Sequence, residues 1–160
     1  MIIVLMGVTG SGKTTVGRLL AEDLGWTYAD ADDFHSELNI EKMKAGIPLN
    51  DADRKPWLES FRELVSDCLI RNENAVLACS ALRERYRESL LLDEQVKLVY
   101  LKGDYQLIRE RLAQRRGHYM DPTLLDSQFE TLEEPLECLR IDASSEPHAI
   151  ISIIRNGLSI

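Results

Sequence analysis

Residues 2–14 read IIVLMGVTGSGKT, and the order of chemistry along them decides the fold. Ile2 to Met6 form a short, continuous apolar run rich in β-branched side chains, the pattern of a strand covered on both faces. Gly7, Gly10, Gly12, Lys13 and Thr14 then fill every position of G-x-x-x-x-G-K-[ST]. Val16, Leu19, Leu20 and Leu24 follow at helical spacing and stop at Gly25. A strand that turns through glycines straight into a helix aims its backbone N–H groups and the positive helix end at one point, which suits phosphate oxygens. On that reading Gly7, Val8, Thr9, Gly10, Ser11, Gly12, Lys13, Thr14 and Thr15 bind the phosphates of a nucleotide. Lys13 reaches the β and γ groups, and the Thr14 hydroxyl ligates Mg²⁺.

The same strand pattern recurs in AVLAC (75–79) and VKLVYL (96–101), and more weakly in WTYAD (26–30) and CLRID (138–142). Helical stripes lie between and after them: Trp57, Phe61, Leu64, Val65 and Cys68; Leu82, Tyr86 and Leu90; Leu107, Ile108 and Leu112; Ile150, Ile153, Ile154 and Leu158. The alternation predicts an α/β domain of the P-loop NTPase type, an open, doubly wound parallel sheet of about five strands with helices on both faces. Ligands bind such sheets at the carboxyl ends of the strands. The 160 residues read as one domain, interrupted at about 31–50 by a substrate-binding insert and at about 117–135 by a mobile lid.

Composition narrows the function. No apolar run has the length of a membrane span, and a net charge of −8 disfavours nucleic acid and anionic membranes as partners. Basic residues are nevertheless grouped, Arg83, Arg85 and Arg87 in one segment and Arg109, Arg111, Arg115 and Arg116 in another, as a small anionic substrate would require. The N-terminus lacks the charge pattern of a secretory signal. Cys68, Cys79 and Cys138 lie in apolar segments without metal-ligand spacing, so a cytoplasmic protein with buried, reduced thiols is expected.

DADDFH (30–35) crowds Asp30, Asp32 and Asp33 against His35, close in sequence to a loop built for a polyanion. Many phosphate-loop enzymes draw a Mg²⁺-supporting Asp from another core strand, but AVLAC runs on into SALR, and VKLVYL into KGD, whose Asp104 has the position of a helix cap. Asp30 therefore stands as the metal partner and a neighbouring Asp as the group that orients a nucleophile. Capping of the following turn is the alternative for each of them, and a structural role is the alternative for His35.

GVTGSGKT, DADDFH, KMKAGIPLNDADRKPWL (42–58), ACSALRERYR (78–87), VYLKGD (99–104) and GHYMDPTLLDSQFETLEEP (117–135) resemble, in order and spacing, the gluconokinases, small P-loop kinases related to shikimate kinase. Ser36, Arg83 and Asp121 stand where the family often has Pro, Lys and Pro. The resemblance implies ATP-dependent phosphorylation of D-gluconate at its terminal primary hydroxyl. It also implies Asp32 as the base and Asp30 as the Mg²⁺ partner, roles that could be exchanged. Arg54 and Arg83 become candidates for the sugar acid, and His35 a further one, with surface salt bridges as the alternative for the arginines. Arg111 and Arg115, leading into the lid, become candidates for adenine stacking and for stabilising the transferring phosphate, with a solvated helix face as the alternative. The loop 141–147 falls on the adenine side by position. Members of the family often form homodimers, and no apolar stripe here separates an interface from core.

Overall fold

The computed structural model describes residues 1–114 and 122–160. Its centre is a five-stranded parallel sheet in the order β2-β3-β1-β4-β5, made of β1 (Ile2–Met6), β2 (Thr27–Asp30), β3 (Ala75–Ala78), β4 (Val96–Lys102) and β5 (Leu139–Asp142). The helices are α1 (Lys13–Leu24), α2 (Glu37–Lys44), α3 (Asp51–Ile70), α4 (Glu84–Leu90), α5 (Tyr105–Gln114), α6 (Pro122–Thr131) and α7 (Pro147–Leu158). The two weakest strands in sequence, β2 and β5, are the sheet edges, and their partial exposure explains the polar residues that blur their apolar runs.

Successive side chains of β1 point to opposite faces. Ile2, Val4 and Met6 meet Trp57, Phe61, Val65 and Cys68 of α3. Ile3 and Leu5 meet Val16 and Leu20 of α1 and Ile150 and Ile154 of α7. Every residue of β1 is buried, and each large aliphatic side chain so covered stabilises the fold by roughly 1.5–3 kcal/mol. This double-sided core holds rigid the strand end from which the glycine loop springs. The chain leaves β1 toward β2 on one side and leaves β4 toward β5 on the other, which opens a crevice at the carboxyl ends of β1 and β4.

Three features depart from the sequence pattern or add to it. The stretch 31–50 holds a 3₁₀ turn (Ala31–Phe34) and α2, a polar helix whose cap is Ser36, with its side chain accepting from Asn39 N at 3.3 Å. Leu82 precedes α4 and joins Val8, Ile108 and Leu125 in a small apolar cluster over the crevice. Within the expected lid, 117–121 lies outside the described residues, while 122–131 is α6, packed on that cluster through Leu125, Phe129 and neighbouring Leu132. Cys68 and Cys79 are buried free thiols, whereas Cys138 is half-buried beside β5. Among the described residues no helix is long and apolar enough to cross a membrane.

Candidate active site

The glycine loop is closed by contact and opened by conformation. A Cβ on Gly7 would lie 2.7 Å from the Leu101 carbonyl oxygen and 2.8 Å from Ser11 Oγ, so only glycine lets the loop curl against β4. Gly12 adopts φ +100° and hands the chain to α1. Among the described residues no side chain caps that helix, and its first turn holds no acidic residue, whereas α2 and α3 are capped by Ser36 and Asn50. Its first N–H groups are thus available to an anion. Lys13 Nζ donates to the carbonyls of Gly7 (2.9 Å) and Val8 (3.0 Å), which keeps its charge at the loop. Beside the loop a cavity of about 310 Å³ is lined by Thr15 and Val16 of α1, Arg111 of α5, and Ala143, Ser145 and Pro147 after β5. The structure thereby brings Arg111 and the loop 141–147 to one slot; Arg115 lies outside the described residues.

The two aspartates after β2 have opposite environments. Asp30 is buried and accepts three hydrogen bonds: from Thr14 Oγ1 and Tyr28 OH on Oδ2, both 2.9 Å, and from Asp32 N on Oδ1 at 3.1 Å. The last of these makes Asp30 the cap of the 3₁₀ turn, a role that falls to neither Asp32 nor Asp33. Paired oxygens from Thr14 and Asp30 form a hard donor set that fits Mg²⁺, an ion that completes its shell with water and phosphate. Tyr28, which reads in sequence only as a strand residue, is a member of this site. Burial, then its bond to Asp30, pushes its phenol far above the ordinary range, so it remains a protonated donor. Gly17 makes room for it: a Cβ there would sit 2.6 Å from the tyrosine ring.

Asp32 opens onto the crevice with 77% of its side chain accessible. Its carboxyl pKa is nonetheless raised, chiefly because the surrounding protein limits hydration of the charge; Lys13 lowers it and Asp30 raises it. His35 lies flat on Trp57, ring centroids 4.8 Å apart and planes 7° from parallel, while Trp57 Nε1 donates to the Ala31 carbonyl. His35 Nε2 is 3.9 Å from Asp32 Oδ1, and Nδ1 is buried with no hydrogen-bond partner among the described residues. Burial lowers the imidazole pKa, which Asp32 raises and Arg54 lowers, so the ring is neutral at pH 7.

The arginines expected to act as a group are divided by the fold. Arg87 is buried and donates to the Ala81 and Leu82 carbonyls, both 3.1 Å, pinning a loop in which Ala81 has φ +42°. Arg85 pairs with Asp51, whose carboxyl is held down to about 2 by hydrogen bonds from Tyr86 and Arg85. Arg83 retains a buried Nε with no partner among the described residues and lies 3.9 Å from Asp51. Lys42 is committed to Asp53 at 2.6 Å, and Asn39 Nδ2 donates to the Asp53 carbonyl, so both brace α2 on the start of α3. Such braces have no local sequence signal, because each joins residues more than one helical turn apart in different elements.

The geometry suits a phosphoryl-transfer crevice: a loop with free amides at a helix start, a buried carboxylate bonded to a hydroxyl, and an open carboxylate beside a neutral histidine. Comparison with known proteins agrees with it. The shikimate kinase family matches residues 9–153. A probable gluconokinase of Xenopus tropicalis is 43% identical, covering 96% of this chain and 91% of its own length, and one of Rattus norvegicus is 47% identical, covering 84% and 83%. A solved gluconokinase of Sinorhizobium meliloti 1021 superposes with a TM-score of 0.87 at 38% identity, covering 98% of this chain and 90% of its own. The chain belongs to the gluconokinase family, within the wider shikimate kinase group of P-loop kinases.

Proposed function

We propose that this chain transfers the γ-phosphoryl group of ATP to the terminal primary hydroxyl of D-gluconate, releasing ADP and 6-phosphogluconate. One observation carries the reading. Among the described residues, the buried side-chain atoms left without a hydrogen bond are Ser11 Oγ, His35 Nδ1 and Arg83 Nε. Buried polar atoms are rarely unpaired in folded proteins, and these belong to the phosphate loop and to two residues proposed for the acceptor. A triphosphate and a polyol acid supply the missing partners.

In this scheme the loop amides other than that of Thr9, with Ser11 and the start of α1, receive the phosphates, and Arg111 covers the nucleotide side. Mg²⁺ held through Thr14 and Asp30 would neutralise charge on the β and γ oxygens. Arg54 and Arg83 engage the gluconate carboxylate or its hydroxyls, for which a planar guanidinium is well matched. His35, neutral and stacked, offers Nδ1 to a hydroxyl. Asp32 aligns the terminal hydroxyl and takes its proton as the new O–P bond forms and the γ-phosphorus to bridging-oxygen bond breaks, leaving ADP. Its raised pKa makes it a better base than an ordinary carboxylate.

The test is ADP release from ATP–Mg²⁺ across a panel of gluconate, shikimate, nucleosides and nucleoside monophosphates. Gluconate is expected to lead by orders of magnitude. A flat panel, or release that ignores the acceptor, overturns the assignment.

A further inference from the structure

Gln128 of α6 falls within the expected lid, but no part in binding or catalysis is assigned to it above. Its Oε1 accepts from Thr9 N at 2.7 Å, a bond between residues distant in sequence. The carbonyl of the same peptide unit, Val8 O, accepts from Lys13 Nζ at 3.0 Å and from Ser11 N at 3.2 Å. A peptide unit is planar and rigid, so one plane has Gln128 on its N–H edge and Lys13 on its C=O edge. Rotation of that plane would break both contacts together.

The bond is not needed to dock α6. Leu125 and Phe129 already anchor the helix against Val8 and Ile108, and a single neutral hydrogen bond adds only about 1 kcal/mol. What it adds is orientation. The loop amide at Thr9 is committed to a protein acceptor, and the Val8 carbonyl is thereby held toward the lysine. We infer that Gln128 is a positioning residue for phosphoryl transfer: by holding the Val8–Thr9 peptide it sets where Lys13 stands at the loop. The inference rests on Lys13 serving the β and γ phosphates, as proposed above. Because Lys13 would bridge those two groups, the effect falls on the triphosphate and its transition state more than on ADP.

The experiment is a double-mutant cycle on the full chain with Gln128→Met, Lys13→Ala and the pair. Gln128→Met keeps length and bulk and removes the acceptor. Alone it is expected to lower kcat about tenfold, the equivalent of one hydrogen bond's worth of barrier. The KM for gluconate and the calorimetric Kd for ADP should stay within about twofold, and the Thr9 amide resonance should shift toward its unbonded position. In the Lys13→Ala background the same change should have no further effect. Full turnover in Gln128→Met, or a loss that adds undiminished to that of Lys13→Ala, overturns the positioning role. Undiminished activity in Lys13→Ala alone would instead sink the reading on which it rests. If Gln128→Met fails to fold, Gln128→Asn, one methylene too short for Thr9 N–H, takes its place with the same outcomes.

Discussion

The phosphate loop and the proposed acceptor side of the crevice are built on opposite plans. The loop is one contiguous stretch whose recognition groups are largely backbone amides, shaped by Gly7 and Gly12 and set on a strand buried on both faces. The acceptor side, as proposed, draws Asp32 and His35 from after β2, Arg54 from α3 and Arg83 from the start of α4, segments braced by Trp57, the Lys42–Asp53 pair and Arg87. A triphosphate offers repeated, equivalent oxygens that a curled backbone can meet. A polyol acid presents distinct groups, so side chains from separate segments must converge on it. The first side should therefore tolerate little change in sequence, and the second should be sensitive to packing at a distance.

That contrast can be broken most forcefully at Lys13. Lys13→Ala should cut kcat by about two to three orders of magnitude, the usual cost of removing a charge-stabilising donor, and equally for any acceptor tested; an acceptor-dependent loss in steady-state kinetics would blur the division between the two sides. Asp32→Asn should leave ADP binding intact by calorimetry and lower turnover by at least about a hundredfold. The same variant should be more heat-stable than the parent at pH 7. A carboxyl whose pKa is raised by folding binds its proton more tightly in the native state, so its stabilising contribution is present below the unfolded pKa and is lost as pH rises through the folded value. The gain in melting temperature should vanish below pH ~3.8, and equal gains at both pH values would contradict the environment assigned to Asp32.

Arg83→Ala should raise the KM for gluconate about 10- to 100-fold, the range for one charged hydrogen bond, with the ADP Kd unchanged. An equal weakening of ADP would move Arg83 to the nucleotide side. The smallest effect falls at Gly17. Gly17→Ala gains roughly 1 kcal/mol of helix propensity, but its methyl meets the Tyr28 ring at 2.6 Å and should cost about 1–3 kcal/mol as overpacking. Denaturant unfolding should show the net loss. A stabilised Gly17→Ala variant would mean that Tyr28 can leave Asp30 without penalty.

Particular residues show how far the chain could be read unfolded. Ile2 to Thr14 carry strand, turn and helix start in one run, and their geometry depends on neighbours only a few bonds away. Tyr28 and Gly17 had no such signal, because the tyrosine's role depends on where α1 crosses β2. Gln128 is similar: its acceptor reaches Thr9 only after α6 packs on Ile108 and Val8. The arginine triplet is the sharpest case: Arg87 is buried, Arg85 is tightly paired with Asp51, and Arg83 keeps a buried Nε with no partner among the described residues, although all three lie within five residues of chain.

By itself, the amino-acid sequence determined the parallel sheet, the phosphate loop and the placing of two carboxylates at the end of the second strand, because periodicity and backbone chemistry are local properties. Packing between distant segments settles which carboxylate is buried with Thr14 and Tyr28 and which is open, and which arginine keeps a buried Nε with no partner among the described residues. Those outcomes depend on desolvation and on partners brought from distant segments, quantities that exist only once the chain has folded.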